Sequence, residues 1–142
     1  MPRITFVLAT LLSLMAFTPV AAQDYQRGMD AYNAGDYATA LKEFRPLAEQ
    51  CNADAQYHFG QMYEGGLGVN RDLSEAAKWH RVAAEQGHVK AQYTLGIMYF
   101  LGQGTLLDNS LAYMWWNLAA ANGHKKAGGW RDELAKTMTP TA

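Results

Sequence analysis

Cys51 is the only cysteine in a chain of 142 residues. One thiol cannot close an intramolecular disulfide, which excludes disulfide-stapled folds. β-Branched aliphatics are scarce as well: beyond residue 22 they are Val69, Val82, Val89 and Ile97, against 19 alanines. Alanine enters a helix at least cost, whereas β-branched side chains fill pleated surfaces, so sandwiches, barrels and parallel-sheet enzymes are excluded. An excess of one charge is missing too, with Lys+Arg 12 against Asp+Glu 13. No concentrated basic surface is expected for nucleic acid, and no Lys/Arg cluster marks an amphipathic membrane-surface helix.

No apolar run is long enough to span a bilayer. The main one, Ile4 to Phe17, has 14 residues, short of the roughly 18–20 required. It follows a basic start, Met1-Pro2-Arg3, and leads to Val20 and Ala22 at positions −3 and −1 before the polar Gln23-Asp24. This order predicts a secretory signal peptide over 1–22, cleaved after Ala22, and a periplasmic or secreted mature chain, 23–142, without stable membrane insertion. No cysteine lies near the cut to carry lipid.

What the chain does contain is itself, repeated. Residues 55–90 laid without a gap over 91–126 agree at 17 of 36 positions. The series Asp36/Asp72/Asp108, Ala40/Ala76/Ala112 and Cys51/Gly87/Gly123 carries the second half of the unit one step further back. The first unit has a shorter link: Tyr32 to Asp36 spans four positions and Tyr63 to Asp72 nine. A fixed period of this length points to stacked supersecondary units.

Each unit reads as two helices. Ala55, Phe59, Met62 and Tyr63 recur at helical spacing, and Gly65-Gly66-Leu67-Gly68 breaks that helix. Asp72, three residues before Glu75, predicts a capping box at the start of the second helix. That helix carries Leu73, Ala76, Ala77, His80, Ala83 and Ala84 and ends at Gly87. The third unit repeats the order with Asp108, Leu111, Ala112, Trp115, Leu118, Ala119 and Gly123, while Trp116 replaces His80 and is expected to cover the open end.

The unit A-Q-Y-x-x-G-x-M-Y-x-x-G-x-G-x-x-x-D-x-S-x-A-x-x-W-x-x-x-A-A-x-x-G-H resembles the Sel1-like repeat, a branch of the tetratricopeptide class. The first unit, with Gly28, Gly35-Asp36-Tyr37, Ala40 and Phe44, is closer to an ordinary tetratricopeptide repeat. The resemblance implies an all-α fold, a short α-solenoid with units at about 24–54, 55–90 and 91–126. A short, frayed C-terminal cap is expected at 127–138, where Gly128-Gly129 interrupts the next first helix. It also implies a non-enzymatic adaptor whose first helices line a concave face that binds a peptide or protein, and the predicted signal peptide puts that adaptor in the cell envelope. By spacing from Gly60 and Gly96, the partner-binding positions are Tyr57, Gln61 and Glu64, then Tyr93, Ile97 and Phe100. Gln61 becomes Ile97 and Glu64 becomes Phe100, so this face grades from polar to apolar. Self-association through the C-terminal end or Cys51 is a further expectation.

No catalytic, cofactor or metal constellation accompanies the repeats. The glycine loops lack the Gly-Lys-Ser/Thr of a phosphate cradle and recur as turns. No two of His58, His80, His88 and His124 stand three or four apart, and His88 and His124 follow helix-ending glycines whose last carbonyls an imidazole can bond. Met62 and Met98 sit at equivalent core positions. Cys51 lies between Gln50 and Asn52, neither of them a base. Some bacterial relatives are linked to β-lactam binding, so the rival expectation is a cell-wall or β-lactam-related envelope enzyme or its accessory. The Ser-x-x-Lys such serine enzymes need is absent, Ser74 and Lys78 being one residue too far apart.

Overall fold

The structure, a computed structural model, describes residues 20–138. They form α1 (Val20–Asn33), α2 (Tyr37–Glu49), α3 (Ala53–Gly65), α4 (Leu73–Glu85), α5 (Val89–Leu101), α6 (Asn109–Ala121) and α7 (Ala127–Met138), with no strand among the described residues. All but the last three positions of the predicted signal peptide lie outside the described residues. No described helix is long and apolar enough to cross a membrane.

Each helix packs mainly on its neighbours in sequence, giving three helical hairpins followed by α7. The α1–α2 link, 34–36, is shorter than the 66–72 and 102–108 links of the later hairpins. Burial is correspondingly a ladder. One cluster, with Ala40, Phe44, Leu47, Phe59 and Met62, joins α2 to α3. A second, with Ala83, Leu95, Trp115, Trp116 and Leu134, joins α4 through α7. Met62 and Met98 are buried in the core.

Side chains start the helices. Asp36, Asp72 and Asp108 accept from the backbone N–H of Thr39, Glu75 and Leu111 at 3.2, 3.0 and 2.9 Å. The capping box at Asp72 is only half formed: Glu75 turns outward to Lys78 Nζ and Trp79 Nε1, at 3.0 and 3.1 Å. A cation and an indole N–H offer this carboxylate two donors on its own helix, in place of the single backbone N–H of Asp72. His88 also departs from expectation. It does not close α4 but opens α5, its Nδ1 accepting from Ala91 N–H at 3.1 Å while Nε2 meets Asp54 at 3.1 Å.

The ends of α2, α4 and α6 share one geometry. Cys51, Gly87 and Gly123 have φ of +64°, +88° and +92°. Their N–H groups close the preceding turn on Ala48, Ala84 and Ala120.

Between units, contact is made by backbone as much as by side chain. A Cβ on Gly104 would lie 1.9 Å from the Leu73 carbonyl oxygen at the start of α4, and one on Gly68 2.9 Å from that of Tyr37. Each glycine loop thus seats on the second helix of the preceding unit. Two buried glutamines add a second tie: Gln92 donates to the Ala84 carbonyl at 3.2 Å and accepts from Asn122 at 3.1 Å, joining α4, α5 and α6. Gln56 does the same with Ala48 and Gln86.

The C-terminal segment is a continuous helix, not a frayed cap. Glycine costs about 1 kcal/mol in a helix interior, but Ala127 and Leu134 of α7 are buried and Arg131 reaches Asn117 Oδ1 at 3.0 Å. Trp116, expected as a cover, is itself covered, with the Phe100 and Trp130 rings 5.6 and 5.8 Å away. Leu118, assigned to the packed side of α6, is instead 40% exposed.

Candidate functional site

The first helices of the second and third units, α3 and α5, carry the six positions expected to meet a partner, and all six are half-buried. In α3, Gln61 Nε2 donates to Tyr57 Oη at 3.0 Å, and the Glu64 carboxylate faces His80 Nε2 at 3.3 Å. His80 fits there because Gly60 has no side chain: a Cβ would stand 2.9 Å from the imidazole. One unit on, Trp116 occupies that place over Gly96 and donates from Nε1 to the Tyr93 carbonyl at 3.2 Å. The larger indole leaves no partner for an acid at the position of Glu64, and Phe100 stands there, tilted against the indole.

The apolar part of this face is incompletely filled. Ile97, Phe100, Leu101, Trp116 and Trp130 enclose a cleft of about 120 Å³ without a polar atom on its surface. Phe100, Trp116 and Trp130 also border a neighbouring cleft of about 190 Å³ toward Glu133, Leu134 and Thr137. Leu101 is 52% and Trp130 48% exposed at its edge. Trp130 was not among the expected positions, because the interrupting glycines obscured the helix that presents it.

Aromatic stacks run beside these positions. The Tyr57 and His88 rings stack at 4.6 Å between centroids, and one unit later Tyr93 and His124 stack at 4.1 Å. His58 lies among Tyr32, Phe44 and Tyr57, with ring centroids 5.7, 5.4 and 5.4 Å away and its Nδ1 unpartnered. Burial pushes the imidazoles of His58, His88 and His124 below the ordinary value of 6.5; Asp54 opposes this for the first two, whereas Lys126 reinforces it at His124.

A further hollow was missed by sequence reasoning. It has a volume of about 540 Å³ between the start of α5 and the α6–α7 link, and Lys90, Tyr93, His124, Lys125 and Lys126 line it. Its signal was available: Lys90 and Lys126 are the period-36 equivalents of Asp54, so the charge at this corner reverses.

Cys51 is an exposed free thiol, and no group of three or more His, Cys, Asp or Glu suited to a metal ion occurs among the described residues.

A family model described as Sel1 repeat matches residues 53–88 and 89–124, just over half of the chain. The structure is similar to that of a protective antigen present in uropathogenic Escherichia coli strains and displaying an SLR fold, at 30% identity, TM-score 0.79, over 88% of this chain and 28% of that one. A Sel1 repeat protein from Oxalobacter formigenes is similar at 34% identity, TM-score 0.74, over 78% of this chain and 45% of that one. The chain therefore spans less than half the length of either. Cysteine rich protein B of Helicobacter pylori shares the fold at 18% identity, TM-score 0.63, over 80% of this chain and 98% of that one. No curated protein matches the sequence. Sel1 repeats generally mediate protein–protein interaction and typically form non-enzymatic scaffolds. Two tandem unit matches, seven helices in hairpin order among the described residues and two solved relatives of the same repeat type lead to one conclusion: this chain belongs to the Sel1 repeat family.

Proposed function

We propose that the chain is a non-enzymatic adaptor of the cell envelope that binds a peptide or protein along a concave face formed by its first helices. Tyr57, Gln61, Glu64, Tyr93, Ile97 and Phe100 form the contact surface, with affinity concentrated at the aromatic and apolar end. The supporting observation is the open apolar cleft among Ile97, Phe100, Leu101, Trp116 and Trp130. Apolar surface left uncovered beside exposed Leu101 and Trp130 is a usual mark of contact with another chain.

The envelope assignment rests on the signal-like opening sequence. Processing to a mature start at Gln23, read by N-terminal sequencing of protein from a periplasmic fraction, is the expected outcome.

Binding is tested by giving the third unit the second unit's own residues, Ile97→Gln with Phe100→Glu. Both positions are half-buried and border an open cleft, so helicity by circular dichroism should persist even though Glu at 100 would lack the His80 partner of Glu64. Capture of the envelope partner identified with the unaltered chain should weaken about tenfold or more, as for a loss at an interface centre. Undiminished capture overturns the groove assignment. Turnover of a β-lactam or peptidoglycan substrate, abolished by one substitution, overturns the non-enzymatic one.

A further inference from the structure

We propose that the hollow beside Tyr93 binds a carboxylate group carried by an extended peptide. This rests on the peptide-binding reading above and adds to it the chemistry of one end of the ligand.

The first argument is a charge reversal within a repeated architecture. Where α3 begins, Asp54 pairs with His88, whose ring stacks on Tyr57. Where α5 begins, the stack is rebuilt from His124 and Tyr93, but Lys90 stands in place of Asp54. Lys125 and Lys126 replace Val89 and Lys90 at the following step. The second unit thus carries its own anion at this corner. The third carries three cations and no acid in the hollow's lining, and none of Lys90, Lys125 and Lys126 has an ion-pair partner among the described residues. A ligand carboxylate supplies what Asp54 supplies one unit earlier, and charge-assisted bonds of this kind are the stronger ones.

The second argument is an unmet polar atom. His124 Nδ1 is buried without a partner where His88 Nδ1 caps the Ala91 N–H, and with Lys90 in place of Asp54 no carboxylate meets the ring as Asp54 meets His88 Nε2. Burial, and after it Lys126, disfavour its imidazolium form, and an anion in the hollow opposes the second of these effects.

Size separates a peptide from a bare ion. The hollow, about 540 Å³, lies within the roughly 300–1,000 Å³ typical of sites for whole molecules. It shares Lys125 and Lys126 with a second open hollow of about 410 Å³ that reaches Trp130. An extended segment can place a carboxylate among the lysines, lie on the Tyr93–His124 stack and set an apolar side chain against Trp130.

The test uses the mature chain and three short peptides of one length: an Asp/Ala peptide blocked at both ends, its Asn/Ala counterpart, and the Asn/Ala peptide with a free C-terminal carboxylate. Binding is read by calorimetry, and the His124 ring protons are followed by NMR. The blocked Asp peptide should bind about tenfold tighter than the blocked Asn peptide, with the preference shrinking as salt rises, and the His124 titration should move to higher pH. A gain for the free carboxylate alone supports the site with a chain terminus as its ligand.

Lys90→Asp restores the residue type of Asp54 and pairs with His124, so it keeps the fold and should abolish the acidic preference. Lys126→Gln should reduce it. Equal binding of Asp and Asn peptides with no gain for the free carboxylate, or a preference that survives Lys90→Asp, overturns the proposal. So does inorganic phosphate binding as tightly as the peptide, which would make the hollow a small-ion site. Failure here while Ile97→Gln with Phe100→Glu still abolishes partner capture removes the anion site and keeps the groove. The opposite pair of results removes the groove and keeps the site.

Discussion

Cys51 holds a left-handed backbone, φ +64°, where the next two units have glycine at +88° and +92°. An L side chain in that region meets its own carbonyl and costs on the order of 1 kcal/mol. Glycine relieves the clash but loses more freedom on folding, so Cys51→Gly should raise stability by about 0.5–1 kcal/mol, read from the urea midpoint. A fall would show the thiol to be packed or bonded. This position was legible because the turn closing each second helix is set by local backbone, and the period aligns Cys51 with Gly87 and Gly123. The partners of Glu75 and His88 were not. A carboxylate or imidazole chooses among several partners within reach, and the choice depends on neighbouring side chains: Trp79 one turn along the same helix for Glu75, and Asp54 of the preceding hairpin for His88.

At the scale of the element, the glycine loops do more than turn the chain. Gly104 combines φ +68° with backbone contact at the start of α4, leaving a Cβ only 1.9 Å from the Leu73 carbonyl oxygen. A main-chain neighbour cannot swing aside, so Gly104→Ala should cost about 3 kcal/mol or more from strain and overpacking together. Gly123→Ala meets no atom within 4 Å and should cost only the conformational penalty, about 1 kcal/mol. Thermal unfolding of the two variants side by side checks the difference; equal losses would mean that the loop does not bear on the preceding unit. Helix period, caps and breaks were readable from spacing, since they depend on residues one to four apart. The seat of each loop, the buried Gln56 and Gln92 ties and the continuity of α7 were not, because they are settled between hairpins. Two glycines argue locally against α7, and Ala127 and Leu134 outweigh them only once Trp116 is in place to receive the helix.

Over the whole molecule, stability should fall in acid for an identifiable reason. Burial disfavours the charged forms of His58, His88 and His124, placing their folded pKa values below the ordinary 6.5. The unfolded chain then holds more protons between the depressed values and 6.5. Stability is therefore free of this loss above that pH and declines as pH drops through the window. The urea midpoint should fall between pH 7.5 and 5, and His58→Gln should flatten the decline even if it lowers stability throughout. A slope unchanged by His58→Gln would place the acid sensitivity elsewhere. Sequence revealed the histidines and their period but not their environments, which arise from rings contributed by α1, α2, α3 and α5. The six expected contact positions show the same divide. Their place on the first helices followed from the period, whereas the cleft beside Ile97 and Phe100 needs Trp130 of α7 to exist.

The seating of Gly68 on Tyr37 and of Gly104 on Leu73 also gives the stack a direction of growth. Every loop reaches back to the unit before it, and the first hairpin, with its short 34–36 link, has no such loop. The start of α6 at Asn109 is the next seat in the series. As in a chain-growth polymer, one end is terminated and the other is living. A tandem copy of the 36-residue unit inserted after His124 would find its docking surface already made, whereas a copy placed ahead of α1 would meet a hairpin with no loop to seat on it.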